Sequence, residues 1–576
     1  MVHPMTRIMI CFAILLATCH VRADNEKAAD IALVGGKIIT LGKDNAIAEA
    51  IAILDGRILA VGTNKRIQDF VSKRTQVIQL DGKTVIPGII ETHCHAIGVG
   101  RNAMIQPFVE LSTIAELQDW IRQRAKEVPP GRWIRVPRAD ITRLKERRHP
   151  TPAELDAACS THPILFNAAR KNVLNSLGFK SVEIDDETDS VPGGELIRDK
   201  DGRIVMIAGG DGYLRKFMPR REFTEEETLA GLRRVHQIYN SVGITSIFER
   251  ATNLDGVKLY QRLRDADQLT VRTTATIRQQ FRDGKGVEKF TKEIGIKSGD
   301  GDDWVRVGPL KITVDGGIHW GNTYLREPYG DRRVAFYRLK DSNYRGDRRY
   351  TFEQMTDIFS AGHRLGWQMC CHVTGDAGVD SVLDALEHVQ RLYNIRDQRF
   401  TLIHCYFPIE DSIARCRKLG VCVDTQSYLY YKDSDAMAEV YGRSWAERLI
   451  GVGDWLKGGV PVAINSDHMI GLDPDHAMNS FNPFLQMYIA ASRKNENGRV
   501  YGAHQKVSRI DALRMMTSLA AHLSFDESKK GTLESGKLAD FAVLDRDLLE
   551  CPEDKIRQIK VMKTFVGGKK VFDRSE

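Results

Sequence analysis

Residues Val85 to His95 read VIPGIIETHCH, an apolar run broken only by Pro87 and Gly88 that ends in two histidines one residue apart. On a strand, residues i and i+2 share a face, so His93 and His95 aim both imidazoles at one point. Neutral imidazole is the commonest side-chain metal ligand, and two of them converging at a strand end make half of a divalent metal site. Two histidines satisfied within a core would give the same letters. The rest of the chain decides between these readings.

Downstream, strand-like runs alternate with helical ones: GITSIF is followed by NLDGVKLYQRLRDA, WQMCCHV by VDSVLDALEHVQRLY, and FTLIHCYF by IEDSIARCRKLG. Strand and helix in repetition imply a parallel sheet with crossovers, and a closed (β/α)₈ TIM-like barrel is the economical form of it. Three polar groups stand at the ends of such runs: His372 in WQMCCHV, His404 in FTLIHCYF and Asp467 in VPVAINSD. His372 and His404 are 32 residues apart, and His404 and Asp467 are 63 apart. One β/α unit averages roughly 30 residues, so the intervals are one unit and two. That rhythm places the groups on strands 5, 6 and 8, with His93 and His95 on strand 1, all at the mouth where barrel strands end.

Four histidines and one aspartate leave two ions short of a bridging ligand. Lys311, in PLKITVDGG, is the candidate at the end of strand 4. A lysine buried near cations loses its proton more easily, and the neutral amine can take up carbon dioxide as a carbamate, which bridges like a carboxylate. An ordinary exposed lysine is the alternative. The interval to His372 requires a long connection after strand 4, which Gly316 to Arg349 supplies.

The motifs VIPGIIETHCH, LKITVDGG, CHVTGDAGVD, LIHCYF, INSD and the tail GTLESGKLADFAVLD together resemble the family-3 branch of the amidohydrolase superfamily, which includes N-substituted formamide deformylase. The resemblance spans nearly all of the chain after its leader. It implies a metal-dependent barrel joined to a β-sandwich, with His93, His95, Lys311, His372, His404 and Asp467 as ligands and Lys311 carboxylated. The implied cofactor is zinc, two ions per chain, or another divalent metal in their place. The implied reaction is hydrolysis of an amide-like C–N bond in an N-acyl or N-formyl small molecule, with Asp467 as general base. A mononuclear deaminase of the same architecture and a non-catalytic relative that uses the barrel as a binding scaffold are the alternatives.

Two stretches depart from the branch pattern: Gly317-Ile318-His319-Trp320-Gly321 after the DG, and Arg170-Lys171 ahead of Asn175-Ser176. Arg170, His319, Trp320 and Gln426 are read as substrate contacts. His468 and Thr92 are expected to point away from the metals. Asp376 is either a partner that steadies His372 or a helix cap.

The two ends of the chain share a style of their own. IALVGGKIITL, AIAILDGRILAVG and TQVIQLDG near the start, with Asp55-Gly56 as a hairpin signal, match GTLESGKLADFAVLD and VMKTFVGGKKVF near the end. Neither end has strands enough for a sheet of its own, so both are expected in one composite β-sandwich, 24–85 plus 525–576, around a barrel of 86–524. The segment of about 106–210 breaks the barrel rhythm and is expected as an insertion over the mouth.

Met1 to Ala23 reads as a leader. Arg7 precedes an apolar core from Ile8 to Ala17, too short to span a bilayer, and Val21-Arg22-Ala23 offers a peptidase site. The mature protein is therefore expected to be exported; lipidation at Cys19 ranks second, because Thr18 stands where a smaller residue is usual. No later stretch suits a membrane helix. The net charge of +7 on 576 residues is spread along the chain without a dense basic cluster, which argues against a nucleic-acid partner. A homo-oligomer is compatible with the composition. The cysteines beyond the leader show no CxxC and no regular spacing, so buried free thiols are expected, with Cys94, Cys371 and Cys405 as packing residues.

Overall fold

The computed structural model describes residues 28–168, 171–218 and 221–575. The leader and Arg170 lie outside the described residues. At the centre are eight parallel strands: β1 (Ile89–Cys94), β2 (Ile244–Thr252), β3 (Arg272–Arg278), β4 (Val305–Thr313), β5 (Met369–Val373), β6 (Thr401–His404), β7 (Cys422–Thr425) and β8 (Val462–Ile464). They are hydrogen bonded in that order. The ring closes between its last and first strands through a parallel bridge from Cys94 to His468, where the His95 N–H donates to the His468 carbonyl at 2.9 Å. This is the barrel that the strand and helix rhythm predicts, with Lys311 on β4, His372 on β5, His404 on β6 and Asp467 just past β8.

Strands buried on both faces explain the near-continuous apolar runs. Inside, the N-terminal end is stoppered by Ile90, Phe248, Cys422 and Ala463, packed against Ala520, Ala521 and Leu523 from a short helix and its end. The helices outside start on strong caps. Thr224 with Glu227, and Thr351 with Gln354, form capping boxes ahead of the helices Glu225–Ser241 and Phe352–Arg364.

Both ends of the chain contribute to one sheet. Its order is Lys569–Asp573, Val561–Val566, Phe541–Leu544, Thr84–Pro87, Lys37–Ile39 and Ile47–Ala48, three strands from each end. A second sheet, Arg57–Gly62, Ala50–Leu54, Ile31–Val34 and Gln76–Gln79, supplies Leu33, Ile51, Ile53 and Ile58 to a core shared with Ile38, Val85, Phe541 and Phe565. The Phe541 and Phe565 rings stack 4.6 Å apart. Asp55 and Gly56 form the hairpin turn with φ of 50° and 71°, both positive as a tight type I′ turn requires. The chain passes from Pro87 directly into β1 through Gly88, where a Cβ would lie 2.2 Å from Thr245 Oγ1. The sandwich and the first metal-site strand are thus coupled with no slack between them.

Between β1 and β2 the chain builds a five-stranded sheet, ordered Gly194–Arg198, Ile204–Gly209, Lys171–Leu174, Ile164–Ala168 and Ile134–Arg135. Phe166, Leu117 and Val173 pack on one side of it, and Ile207, Leu174 and Leu214 on the other. This insertion is clamped to the barrel mouth. Thr142 donates to Asp433 at 2.7 Å, and the Arg143 guanidinium reaches both Asp433, at 3.1 Å, and the Met478 carbonyl, at 2.6 Å. The connection after β4 is long as expected, but it carries a 3₁₀ turn, Ile318–Trp320, and a helix, Gly330–Tyr337. All cysteines among the described residues are free; Cys94, Cys371 and Cys405 are buried in the large core. No helix among the described residues is long and apolar enough to cross a membrane.

Candidate metal centre

His93 near the end of β1 and His95 just beyond it face Asp467 from across the barrel seam. The Nε2 atoms of the two histidines lie 3.4 and 3.2 Å from Asp467 Oδ1. Glu91 sets this spacing: its Oε1 accepts from the His93 N–H at 3.0 Å and from the Ser466 N–H at 3.1 Å, tying β1 to the turn that carries the aspartate. Asp467 sits at a positive φ of 50°. Its N–H donates to Asn465 Oδ1 at 3.1 Å, and its carbonyl accepts from Asn479 Nδ2 at 2.9 Å. The conformation is therefore held from both sides. Lys311 Nζ lies 3.5 Å from His93 Nε2, and the His404 ring lies 5.3 Å from that of His93 and 4.4 Å from that of His372. All six residues read from the sequence as ligands therefore line one cavity of about 210 Å³ at the C-terminal ends of the strands.

The donor set suits a cation. Asp467 Oδ1 is buried and accepts no well-directed hydrogen bond, yet it stands between two imidazole nitrogens. Burial holds His93 and His372 well below the ordinary imidazole value and brings His404 to about 4, so the lone pairs are free at neutral pH. Burial also lowers Lys311 to about 8, within reach of the neutral amine that carbamate formation needs. Burial raises the Asp467 carboxyl, but His95, His404 and Lys311 more than offset this and hold it below the usual carboxylate value.

A relay behind the imidazoles decides which nitrogen each presents. His404 Nδ1 lies 2.7 Å from Gln426 Oε1; Gln426 Nε2 donates to Asn465 Oδ1 at 2.8 Å; Asn465 Nδ2 donates to Asp424 Oδ1 at 2.5 Å. With both amide NH₂ groups donating forward, the Gln426 oxygen can only accept, so His404 carries its proton on Nδ1 and turns Nε2 to the cavity. The relay ends in a buried ion pair, Asp424 with Arg250 at 2.7 Å. His372 is treated alike: its Nε2 lies 2.7 Å from the Gly316 carbonyl, which leaves Nδ1 for a metal.

Several expectations need correction. Gln426 does not line the cavity as a substrate contact; it is fully buried behind His404. Thr92 stays out of the metal-site cavity as expected, but it remains in the barrel interior. Where Ile247 pairs with Glu91 and Glu249 with Cys94, β1 carries an extra residue, and this bulge breaks the alternation of faces. The Thr92 hydroxyl thus reaches Asp424 at 2.5 Å, below the histidines. Asp376 is not the N-cap of the helix Asp376–Leu392, which is Gly375, but its first residue; its Oδ1 accepts from the Ala377 N–H and, from the connection after β4, the Arg326 N–H. The residue that steadies the β5 end is Asp315, which accepts from Thr374 and Gly375 N–H groups at 2.9 Å and lies 3.8 Å from His372 Nε2. His468 points away as expected, held by Tyr239 at 2.9 Å and the Gly471 carbonyl at 2.8 Å. His319 and Trp320 line the cavity, and His319 Nε2 lies 3.0 Å from Asp433 Oδ2.

Sequence reasoning missed Asp315, Asp424, Arg250 and Asn465, and the cavity arginines Arg138, Arg278 and Arg349. Asp315 and Asn465 stand inside motifs quoted above and were legible as polar residues in apolar strand ends; the others carry no local signal. Gln426→Leu, which removes both links of the relay at one point, is expected to weaken divalent-metal affinity by roughly 10- to 100-fold. Competition titration with a zinc chelator reads this directly, and unchanged affinity would mean the relay does not orient His404.

The amidohydrolase family profile matches residues 76–572. The protein belongs to the amidohydrolase family. Within it, the N-substituted formamide deformylase of Arthrobacter pascens is 25% identical to this chain over 563 residues, covering 95% of this chain and 99% of the relative. The putative amidohydrolase YtcJ of Bacillus subtilis is 22% identical, covering 88% and 92%. An uncharacterised metal-dependent hydrolase from Pyrococcus horikoshii OT3 superposes with a TM-score of 0.66 at 21% identity, over 91% of this chain and 99% of that one. Its counterpart from Pyrococcus furiosus gives 0.64 at 21% identity, over 90% and 100%. The fold is that of the family's metal-dependent hydrolases, and the six candidate ligands of this member converge at its barrel mouth.

Proposed function

We propose that the protein is a zinc-dependent amidohydrolase that cleaves an amide-like C–N bond in an N-acyl or N-formyl compound. The observation that carries this is the convergence of His93, His95 and Asp467 with Lys311, His372 and His404 around one cavity. His93, His95 and Asp467 would hold one ion, His372 and His404 a second, and Lys311, once carboxylated, would supply further oxygen ligands. Bound zinc supplies concentrated positive charge that polarises a carbonyl oxygen and makes water acidic near neutral pH.

The chain supplies the proton handling. Ionised Asp467 takes a proton from the attacking water as its oxygen bonds to the carbonyl carbon, and then delivers it to the nitrogen as the C–N bond breaks, leaving a carboxylic acid and an amine; the acid's remaining proton passes to the amine, so the products at neutral pH are carboxylate and ammonium. The Gln426 and Gly316 contacts keep His404 and His372 in fixed tautomers throughout, so no proton is lost to the imidazoles.

A mononuclear deaminase is the second reading, favoured by the fact that the tightest cluster contains only His93, His95 and Asp467. Elemental analysis separates the two. The proposal expects close to two zinc ions per chain in the fully active protein, and inactivation by a chelator that zinc reverses. Full activity with one ion per chain, on an aminopurine rather than an N-formyl amine, would establish the alternative.

A further inference from the structure

The arginines on the cavity wall differ in one respect. Arg138 lies 3.4 Å from Asp140, and Arg143, just outside, is paired with Asp433. Arg278 and Arg349 line the same cavity, and among the described residues neither has a carboxylate within salt-bridge distance. Arg278 is exposed and Arg349 half-buried, so both guanidiniums keep access to what enters.

The fold brings these two together. Arg278 ends β3 and pairs in register with Lys311 on β4, so it stands one strand from a proposed ligand; adjacent strands are about 4.8 Å apart. Gln280 then ties the two arginine-bearing segments to each other. Its Oε1 accepts from the Thr313 N–H at 3.1 Å and from the Tyr350 hydroxyl at 3.0 Å, next to Arg349. Arg349 is anchored in turn by its N–H to the Val314 carbonyl at 3.0 Å. The charges of both arginines also bear on the Tyr350 phenol. Two planar, permanently charged forks on one rim, without protein counter-ions, match a carboxylate in geometry and in charge.

We propose that Arg278 and Arg349 form a carboxylate subsite, and that the substrates are amides bearing a carboxylate within a few bonds of the scissile C–N bond, as in N-formyl or N-acyl amino acids. The position of the scissile bond rests on the hydrolase function proposed above; the anion subsite stands on the arginines alone. It distinguishes this chain's substrates from neutral N-substituted formamides of the same size.

A matched pair tests it: N-formylphenylalanine and N-formyl-2-phenylethylamine, which differ only in the carboxylate. With the zinc-loaded full chain, kcat/KM is expected to favour the amino acid by roughly ten- to a hundredfold, mainly through KM, since hydrogen bonds to a charged group have that worth. In the double variant Arg278→Gln, Arg349→Gln the ratio is expected to fall toward one. Equal rates on the two compounds in the unaltered protein, or a variant that slows both alike, would overturn the subsite. Calorimetric binding of the two compounds is read in parallel. If neither amide is cleaved, the hydrolase function fails on these compounds, while binding still decides the subsite. Preference for N-formylphenylalanine that disappears in the double variant upholds it, and equal affinity for both overturns it.

Discussion

Asp467→Asn is expected to lower turnover by roughly 10²- to 10⁴-fold while most of the zinc is retained. Asparagine keeps an oxygen at the position that faces His93 and His95 but cannot hold a proton between water and the leaving nitrogen. The aspartate is shaped for that role. It is half-buried, ionised through its neighbours, and fixed by Asn465 and Asn479 in a left-handed backbone conformation, so its carboxylate does not swing away from the cavity. Turnover and metal content should be measured on the same sample. A variant that keeps its zinc and its full rate would remove Asp467 from the chemistry, and one that loses both would make it a ligand first.

Lys311→Ala is expected to have an effect of comparable size for a different reason. Nζ lies 3.5 Å from His93 Nε2 in the cavity that His95, His372 and His404 also line, and the side chain is buried away from solvent. In the binuclear site proposed above, removing the lysine removes the bridging oxygens, so metal content is expected to fall from about two toward one ion per chain. Small carboxylates such as formate or propionate, supplied in the medium, should enter the vacated space and restore part of the rate, because they present the same two oxygens. Full activity of the variant without added carboxylate would exclude the carbamate. Loss of activity with unchanged zinc content and no rescue would place Lys311 in contact with substrate instead.

Both variants leave the second layer intact, and that layer shows where sequence reasoning stops. The placement of the candidate ligands was legible because a β/α repeat has a nearly constant length: a polar group at the end of one apolar run predicts another one or two units on, and His372, His404 and Asp467 stand at such strand ends. Thr92 stays out of the cavity, but its contact with Asp424 inside the barrel could not be read, because the bulge in β1 shifts the register at the very residues whose alternation was being counted. Gln426 was placed in the right region but on the wrong side of His404, since a strand-end residue can serve either the cavity or the layer behind it and its letters are the same in both cases. Asp376 lost its supporting role to Asp315 because the aspartate nearer in sequence turns to the Arg326 N–H of the connection after β4, while the one nearer in space arrives from another strand.

By itself, then, the chain's text determined the barrel, the sheet shared by its two ends, and the side chains that meet at the mouth, because strand alternation, turn chemistry and repeat length are local properties that composition and spacing express directly. Only the tertiary structure decided how those side chains are oriented and what surrounds them. The Arg250 and Asp424 pair joins β2 to β7, Arg278 stands beside Lys311 across β3 and β4, and Arg143 reaches from the insertion to Asp433. Each depends on segments that meet only once the strands have closed into a ring, and the two ion pairs draw their energy from opposite charges brought close in a low-dielectric interior.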